Sequence, residues 1–361
     1  MQSLVKLPYA TTEFPGCGGI LKQRTEDFAV EELPKYLPSG SGEHLYLWIE
    51  KRGISTVEAI ARISRAVGLA PRDVGHAGMK DAQAVTRQWL SLHTHSDPPP
   101  ERLEGLGLRI LEVQRHGNKL RPGHLLGNRF QIVIREAVPP ARFNDLLVLL
   151  RSRGFPNYFG PQRFGRDGAN AMEGRALLRT GFTRRMPVQR ARFLTNAYQS
   201  AMFNTILATR LAALQQPYEM LAGDLAVFEH SASIFPIAQD GLCEAQARAE
   251  AGEISPSAPL FGYKIPLAEG VPGDWERQLL KTENLHPTDF KRGGKRYSAK
   301  GERRPVRAFP VELQWEATRE DGLPCLRLSF TLKAGVYATA FLRELMKNDC
   351  LHNALPTPPT P

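Results

Sequence analysis

The sequence predicts an α/β protein of the α+β type, with two domains. Segments with the residue alternation of β-strands lie toward both ends of the 361-residue chain. Between them, residues 154–308 begin with a glycine- and aromatic-rich stretch and continue into long helical segments. A strand-rich body that is interrupted by about 150 residues, an ordinary domain size, indicates an inserted domain. We therefore expect residues 1–153 and 309–350 to form one domain, residues 154–308 the second, and the proline-rich residues 351–361 a disordered tail.

The first half of the chain predicts most of the strand-rich body. In residues 44–52, leucine and isoleucine alternate with tyrosine and tryptophan, which is typical of a strand. Residues 55–68 predict a helix, because Ser55 and Glu58 form a capping-box pattern and Gly68 is a natural stop. Further strands are predicted at residues 26–33, 88–94 and 128–138.

The second half of the chain predicts a long helix and then a return to strands. At residues 195–214 apolar side chains recur every four positions, and we interpret them as core packing. Residues 311–316 and 325–333 predict strands, and residues 338–346 predict a helix. The chain therefore ends in the same kind of structure with which it begins.

Composition favours an ordinary cytoplasmic protein. The chain is 42% hydrophobic and 23% charged, and no stretch approaches the roughly 20 apolar residues of a transmembrane helix. The N-terminus has no apolar segment of the secretory type. The four cysteines are far apart and lack C-x-x-C spacing, which argues against a zinc site and against a disulfide framework.

The charge of the chain predicts a polyanionic partner, most simply a nucleic acid. The formal net charge is +10, and eight basic residues lie between Lys291 and Arg307, opposed only by Glu302. Two more basic segments, at residues 115–121 and 184–192, extend the pattern. We expect the main segment to contact RNA phosphates. The predicted contacts are Lys291, Arg292, Lys295, Arg296, Arg303 and Arg304.

Metal and phosphate-loop chemistry are disfavoured by the sequence. His93 and His95 could share a strand face, but no cysteine or H-x-x-E-H partner accompanies them, so no metal is expected. The glycine turn before Lys80 superficially resembles a P-loop. A P-loop requires Gly before the lysine and Ser or Thr after it, whereas Met79 and Asp81 stand there.

Hydrolase patterns are also missing. The chain has no G-x-S-x-G and no evident Cys/His pair. Glycoside hydrolysis needs two acids that flank a sugar. The available acids follow a charged pattern that we interpret as an exposed strand face; they are Glu26, Asp27, Glu31 and Glu32.

One carboxylate, Asp81, remains as a candidate for chemistry. The isomerisation of uridine to pseudouridine needs a single ionised carboxylate, with no metal and no cofactor. The uracil leaves C1′ as a delocalised anion and returns through carbon, so water must be kept out. A neighbouring cation favours the ionised carboxylate, and aromatic side chains receive a base that has left its stack.

A longer motif contains this aspartate. Residues 78–88, G-M-K-D-A-Q-A-V-T-R-Q, resemble the G-x-K-D-x-x-A-x-T-x-Q motif of the tRNA pseudouridine synthase D (TruD) family. Segments such as TEDFAVEE, GNRFQIVIRE, PNYFGPQRFGRDGAN and KAGVYATAFLREL resemble family segments in the expected order. The resemblance implies a pseudouridine-synthase core with a mixed, largely antiparallel sheet, and an inserted TRUD domain at residues 154–308.

The resemblance also implies site residues. Asp81 falls at the position of the family's nucleophile, and Lys80 and Lys22 are its candidate charge partners. The implied substrate-binding residues are Phe28, Asn128, Phe130 and Tyr337, the last standing where the family often has Phe. The implied substrate is tRNA at uridine 13 of the D arm, with no protein partner and no cofactor.

Several alternatives remain open at this stage. Asp81 could attack C1′ of the ribose or C6 of the base, or act first as a base at C2′. The same fold could serve a non-catalytic RNA-binding protein or chaperone, whose basic surface does the work. A nucleoside or glycoside hydrolase could use Asp81 with water and release free uracil.

Overall fold

The computed structural model describes residues 7–182, 185–231, 233–291 and 297–348. These residues form two compact units. The sheet unit comprises Gly16–Ala141, Pro310–Gly335 and Asn348, and the helical unit comprises residues 7–15, Arg142–Phe309 and Val336–Lys347. The units differ from the predicted division at their edges, since residues 142–153 and 336–347 lie in the helical unit. The predicted domain boundaries stay a prediction.

The sheet unit is built on one mixed sheet of eight strands. Its strands are β1 (Phe28–Pro34), β2 (His44–Arg52), β3 (Gly75–His76), β4 (Val85–His93), β5 (Leu108–His116), β6 (Leu125–Arg135), β13 (Val311–Glu320) and β14 (Leu323–Lys333). The strand order is β13-β14-β6-β1-β4-β2-β5, with β3 beside β4. Only β1 and β4 pair in parallel; the other pairs are antiparallel. The predicted α/β class with a mixed, largely antiparallel sheet is therefore confirmed.

The register of these strands brings distant residues to one face of the sheet. Val30 of β1 is opposite both Thr86 of β4 and Phe130 of β6, and Thr86 is opposite Lys51 of β2. Alternate residues of a strand share a face. The face that follows from this register carries Phe28, Glu32, Lys51, Gln88, Asn128 and Phe130.

Helix α1 (Thr56–Val67) covers the β2 part of this face. The hydroxyl of Ser55 accepts a hydrogen bond from the Glu58 amide at 3.1 Å, and Gly68 ends the helix with φ of 74°. Ile60 and Ile63 are buried among the leucines of β2 and β4. The predicted helix at residues 55–68 is thus confirmed with its caps. The short helix α2 (Pro100–Leu103) precedes β5.

The helical unit combines six α-helices with two small sheets in its described residues. The helices are α3 (Phe143–Arg153), α4 (Ala169–Thr180), α5 (Val188–Ala213), α6 (Leu242–Glu250), α7 (Gly270–Glu283) and α8 (Ala338–Met346). The strands are β7 (Phe155–Pro156), β8 (Leu225–Phe228), β9 (Ile234–Pro236), β10 (Ile254–Leu260), β11 (Glu302–Pro305) and β12 (Arg307–Ala308). Strands β11-β10-β8-β9 form one sheet and β12-β7 the other.

Helix α5 is the long helix that the sequence predicts. Its apolar residues Tyr198, Met202 and Phe203 are buried, so the interpretation as core packing is confirmed. It starts seven residues before the predicted position 195, at Val188. In the described part of the chain, we find no helix with the length and apolar character to cross a membrane.

Candidate active site

The loop that carries Asp81 is fastened to the sheet unit at three points. The Lys80 amide donates to the hydroxyl of Thr56 at 2.9 Å, and the Gln88 side chain donates to the carbonyl of Gly78 at 3.1 Å. The Lys51 ammonium donates to the carbonyl of Asp81 at 2.6 Å. Because Thr56 opens α1 while Lys51 and Gln88 lie on the sheet face, the backbone on both sides of Met79 is held in place.

The Asp81 carboxylate is accessible and paired with a cation. Its side chain is 44% exposed, and Oδ2 lies 2.7 Å from the ammonium of Lys22. The Lys22 side chain is only 15% exposed, since its ammonium also lies over the Phe28 ring, 4.3 Å from the centroid. Of the two predicted charge partners, Lys22 is the one that contacts the carboxylate.

Lys80 pairs with a different acid. Its ammonium lies 3.1 Å from Oε2 of Glu32 and donates to Oδ1 of Asn128 at 2.7 Å. The side chains of Lys80 and Glu32 are 7% and 1% exposed. Burial raises the pKa of Glu32, and the ammonium of Lys80 opposes that rise. The interpretation of this acidic segment as an exposed strand face is wrong for Glu32, and also for Asp27, which is buried against Arg135.

Three aromatic rings continue the site across the sheet face. Phe28 and Phe130 are in edge contact with ring centroids 6.2 Å apart, and Phe130 is stacked on Phe330 at 5.2 Å. All three are largely buried, so they pack as a cluster whose edge adjoins Lys22. Tyr337 lies in the helical unit, where its ring contacts Phe159 at 5.5 Å. Its predicted contact with substrate stays a prediction.

Four residues that shape this site were not predicted as site residues from the sequence. Lys51, Thr56 and Glu32 hold the loop or its lysine, and Phe330 completes the aromatic cluster. Gln88, which belongs to the family motif, holds the carbonyl of Gly78. The strand alternation would have placed Lys51 on the face of Leu47 and Ile49, and this was the available signal.

The predicted phosphate contacts divide into three groups. Arg292, Lys295 and Arg296 lie outside the described residues. Lys291 is exposed, with its ammonium over the Tyr263 ring at 4.6 Å from the centroid. Its predicted contact with RNA phosphate stays a prediction.

Arg303 and Arg304 both contact other residues of the helical unit, and burial corrects the prediction for Arg303. The Arg303 side chain is 1% exposed and pairs with Glu276 at 2.8 Å. The guanidinium of Arg304 bonds Asn157 and lies over the Phe159 ring, 4.2 Å from the centroid. Burial lowers the pKa of Arg304 to about 10. The Arg303 guanidinium is therefore not presented to RNA, and the predicted phosphate contact of Arg304 stays a prediction.

Comparisons with known proteins agree with the motif. The family model described as tRNA pseudouridine synthase D (TruD) matches residues 5–186 and 183–345. The chain belongs to the TruD family. The predicted class of enzyme, a pseudouridine synthase and therefore an isomerase, is confirmed at the level of this family.

The matches to individual relatives extend over nearly the full length of both proteins. A tRNA pseudouridine synthase D of Anaeromyxobacter dehalogenans (strain 2CP-C) is 45% identical, over 96% of this chain and 98% of the relative. That of Thermus thermophilus is 40% identical, over 96% and 94%. A crystal structure of a Methanosarcina mazei protein provisionally assigned to TruD has a TM-score of 0.75 and 24% identity, covering 98% of this chain and 100% of that one. This last likeness shows the fold alone.

Proposed function

We propose that this TruD family member converts uridine to pseudouridine in tRNA, with Asp81 as the nucleophile. The observation that carries the proposal is an accessible carboxylate on a loop that is fixed by its backbone. Lys22 compensates the charge of this carboxylate and orients it through Oδ2. Such preorganisation is what a reaction with a single protein carboxylate requires.

The neighbouring residues suit a flipped uracil. Oδ1 of Asn128 accepts from Lys80, which orients the amide with its NH₂ group as the donor for a uracil carbonyl. The edge of the Phe28 and Phe130 cluster adjoins the Lys22–Asp81 pair and offers an apolar wall for the base. We propose Phe28, Asn128 and Phe130 as the uridine contacts in the sheet unit.

The chemistry balances without a further reagent. The uracil leaves C1′ with the electron pair of the N-glycosidic bond, turns, and forms the new bond from C5 to C1′. The proton on C5 is then lost and N1 gains one, so substrate and product are isomers. Asp81 serves this sequence by attack at C1′, by attack at C6, or as a base at C2′, and it is regenerated in each case. The proposed target is uridine 13 of the D arm.

The experiment compares Asp81→Asn with the wild type on tRNA transcripts that carry tritium at C5 of uridine. We expect Asp81→Asn to release no tritium while it binds the transcript with nearly unchanged affinity. Asp97→Asn, which changes another exposed aspartate of the sheet unit, is the matched control and should remain active. Position 13 is then tested by mapping pseudouridine in the product.

Two results would favour the alternatives. Release of free uracil would identify a hydrolase that uses Asp81 with water. An Asp81→Asn variant that still forms pseudouridine would exclude this aspartate as the nucleophile, and a wild type that binds tRNA without turnover would favour a chaperone.

A further inference from the structure

Lys51 is a buried cation that the proposed chemistry leaves unused. It is the penultimate residue of β2 and its exposed fraction is 0%. Its ammonium donates to three main-chain carbonyls, at 2.8 Å to Ile54, 3.3 Å to Lys80 and 2.6 Å to Asp81. An ammonium has three hydrogens, so its whole donor capacity is directed at the backbone. Two of the three acceptors belong to the loop of the proposed nucleophile.

Burial of a charged ammonium costs free energy unless an opposite charge lies nearby. Lysine is almost never fully buried, because the ammonium loses its hydration. Burial lowers the pKa of Lys51 to about 8, and the negative charge of Asp81 opposes that change. The charge of Lys51 and the charge of Asp81 are therefore energetically linked, although their contact runs through the Asp81 carbonyl.

We propose that Lys51 is a positioning residue for the reaction of Asp81, which it serves by clamping the backbone of the loop and by placing a positive charge beneath it. This inference rests on the proposed function. Lys22 leaves the backbone of Asp81 untouched and contacts the carboxylate, whereas Lys51 contacts the backbone and leaves both carboxylate oxygens available. Lys22 thus contacts the side chain of Asp81, and Lys51 contacts its main chain.

The neighbouring charges define how this clamp responds to pH. From the loop, Asp81 raises the pKa of Lys51 and Lys80 lowers it. These two groups are themselves paired, with Lys22 from the segment before β1 and with Glu32 from β1. Loss of the Lys51 proton near pH 8 removes one of three donors and the charge beneath Asp81. We therefore expect kcat to fall as the pH rises through about 8.

Thr56 provides the matched control for a merely structural role. Its hydroxyl holds the adjacent Lys80 amide at 2.9 Å, so it fixes the same loop without a titratable charge. We expect Lys51→Met to lower kcat by about 10- to 100-fold with little change in KM, since a misplaced reactive group costs on that order. The fall of kcat near pH 8 should vanish in Lys51→Met and persist in Thr56→Val. A Lys51→Met enzyme with wild-type kcat, or one that keeps the fall, would overturn the proposal.

A titration that does not depend on enzyme activity tests the role of Lys51 separately from the proposed function. NMR of protein labelled at the lysine side-chain carbons reports each ammonium titration in the wild type and in Asp81→Asn. We expect a lysine that titrates near pH 8 in the wild type and at lower pH in Asp81→Asn, because the opposing charge is gone. If no lysine with a lowered pKa responds to Asp81→Asn, the linkage is refuted even where Lys51→Met fails to fold. Absence of pseudouridine formation by the wild type would instead refute the proposed function.

Discussion

Replacement of Lys80 by methionine should leave Glu32 as an unpaired carboxyl inside the sheet unit. Both side chains are buried and their charged atoms are 3.1 Å apart. Removal of one partner from a buried ion pair costs about 3–5 kcal/mol, because the other charge loses its compensation. Against a total stability of roughly 5–15 kcal/mol, this is a large loss. Urea unfolding of Lys80→Met at neutral pH should therefore show a much lower midpoint with an unchanged slope.

The same variant should depend on pH in a direction that the structure fixes. Burial raises the pKa of Glu32 in the folded state, and Lys80 opposes the rise more strongly than the Trp89 amide does. A carboxyl with a higher pKa folded than unfolded stabilises the fold fully below the unfolded value of about 4.3, and this contribution is lost as the pH rises through the folded value. Without Lys80 the folded pKa rises further, so the loss extends toward neutral pH. Lys80→Met should thus be closer to wild type at pH 5 than at pH 7.5.

A double-mutant cycle isolates the pair. Glu32→Gln removes the charge that Lys80→Met leaves behind, so the double variant should be more stable than the sum of the single losses predicts. The energy of interaction should exceed about 1 kcal/mol, in the range for buried networks. A Lys80→Met variant that loses the same free energy of unfolding at pH 5 and at pH 7.5, with additive single effects, would refute the reasoning.

Three further predictions concern other cations. The pKa of Lys51 is lower in the folded than in the unfolded state. Folding stability should therefore rise by up to about 3 kcal/mol between about pH 8 and pH 10.5. Urea unfolding of Lys51→Met should lack this rise. Arg303→Met should cost about 3–5 kcal/mol by stranding buried Glu276, while the salt dependence of tRNA binding stays as in the wild type. Lys291→Gln should leave stability within about 0.5 kcal/mol, and a contact with phosphate predicts a salt slope smaller by about one; an unchanged slope would place Lys291 away from the RNA.

Residue alternation predicted where strands lie better than where they begin. The predicted helix at residues 338–346 coincides with α8, because its apolar period is continuous. The strand predicted at residues 88–94 instead begins at Val85. Thr86 and Gln88 are polar but buried on the core face, so the hydrophobic alternation fails just where the strand approaches the site. The start of β4, next to the loop of Asp81, is therefore hard to predict from the sequence.

Burial explains why the site was predicted only in part. Asp81 could be singled out from sequence, because its motif is long and the competing patterns are missing. Glu32 could not, and Lys51 only by its place in the strand alternation, because charged residues are usually solvated and their burial depends on the pairing of β1, β4 and β2. Arg303 shows the opposite error: it belongs to a run of basic residues, yet its strand turns it toward Glu276. A charge run in sequence does not reveal which of its members face inward.

Three lysines of the sheet unit surround one loop, and each acts on a different part of it. Lys22 contacts the carboxylate of Asp81, Lys51 contacts its carbonyl, and Lys80 ties the loop to Asn128 and Glu32. Loss of Lys22 changes the charge beside the carboxylate of Asp81, whereas loss of Lys51 changes both charge and backbone position. Loss of Lys80 mainly lowers the free energy of unfolding, because it leaves the buried carboxylate of Glu32 without its cation. Because the three cations are separated in this way, their substitutions should differ in pH dependence and in stability, and not only in the size of the loss.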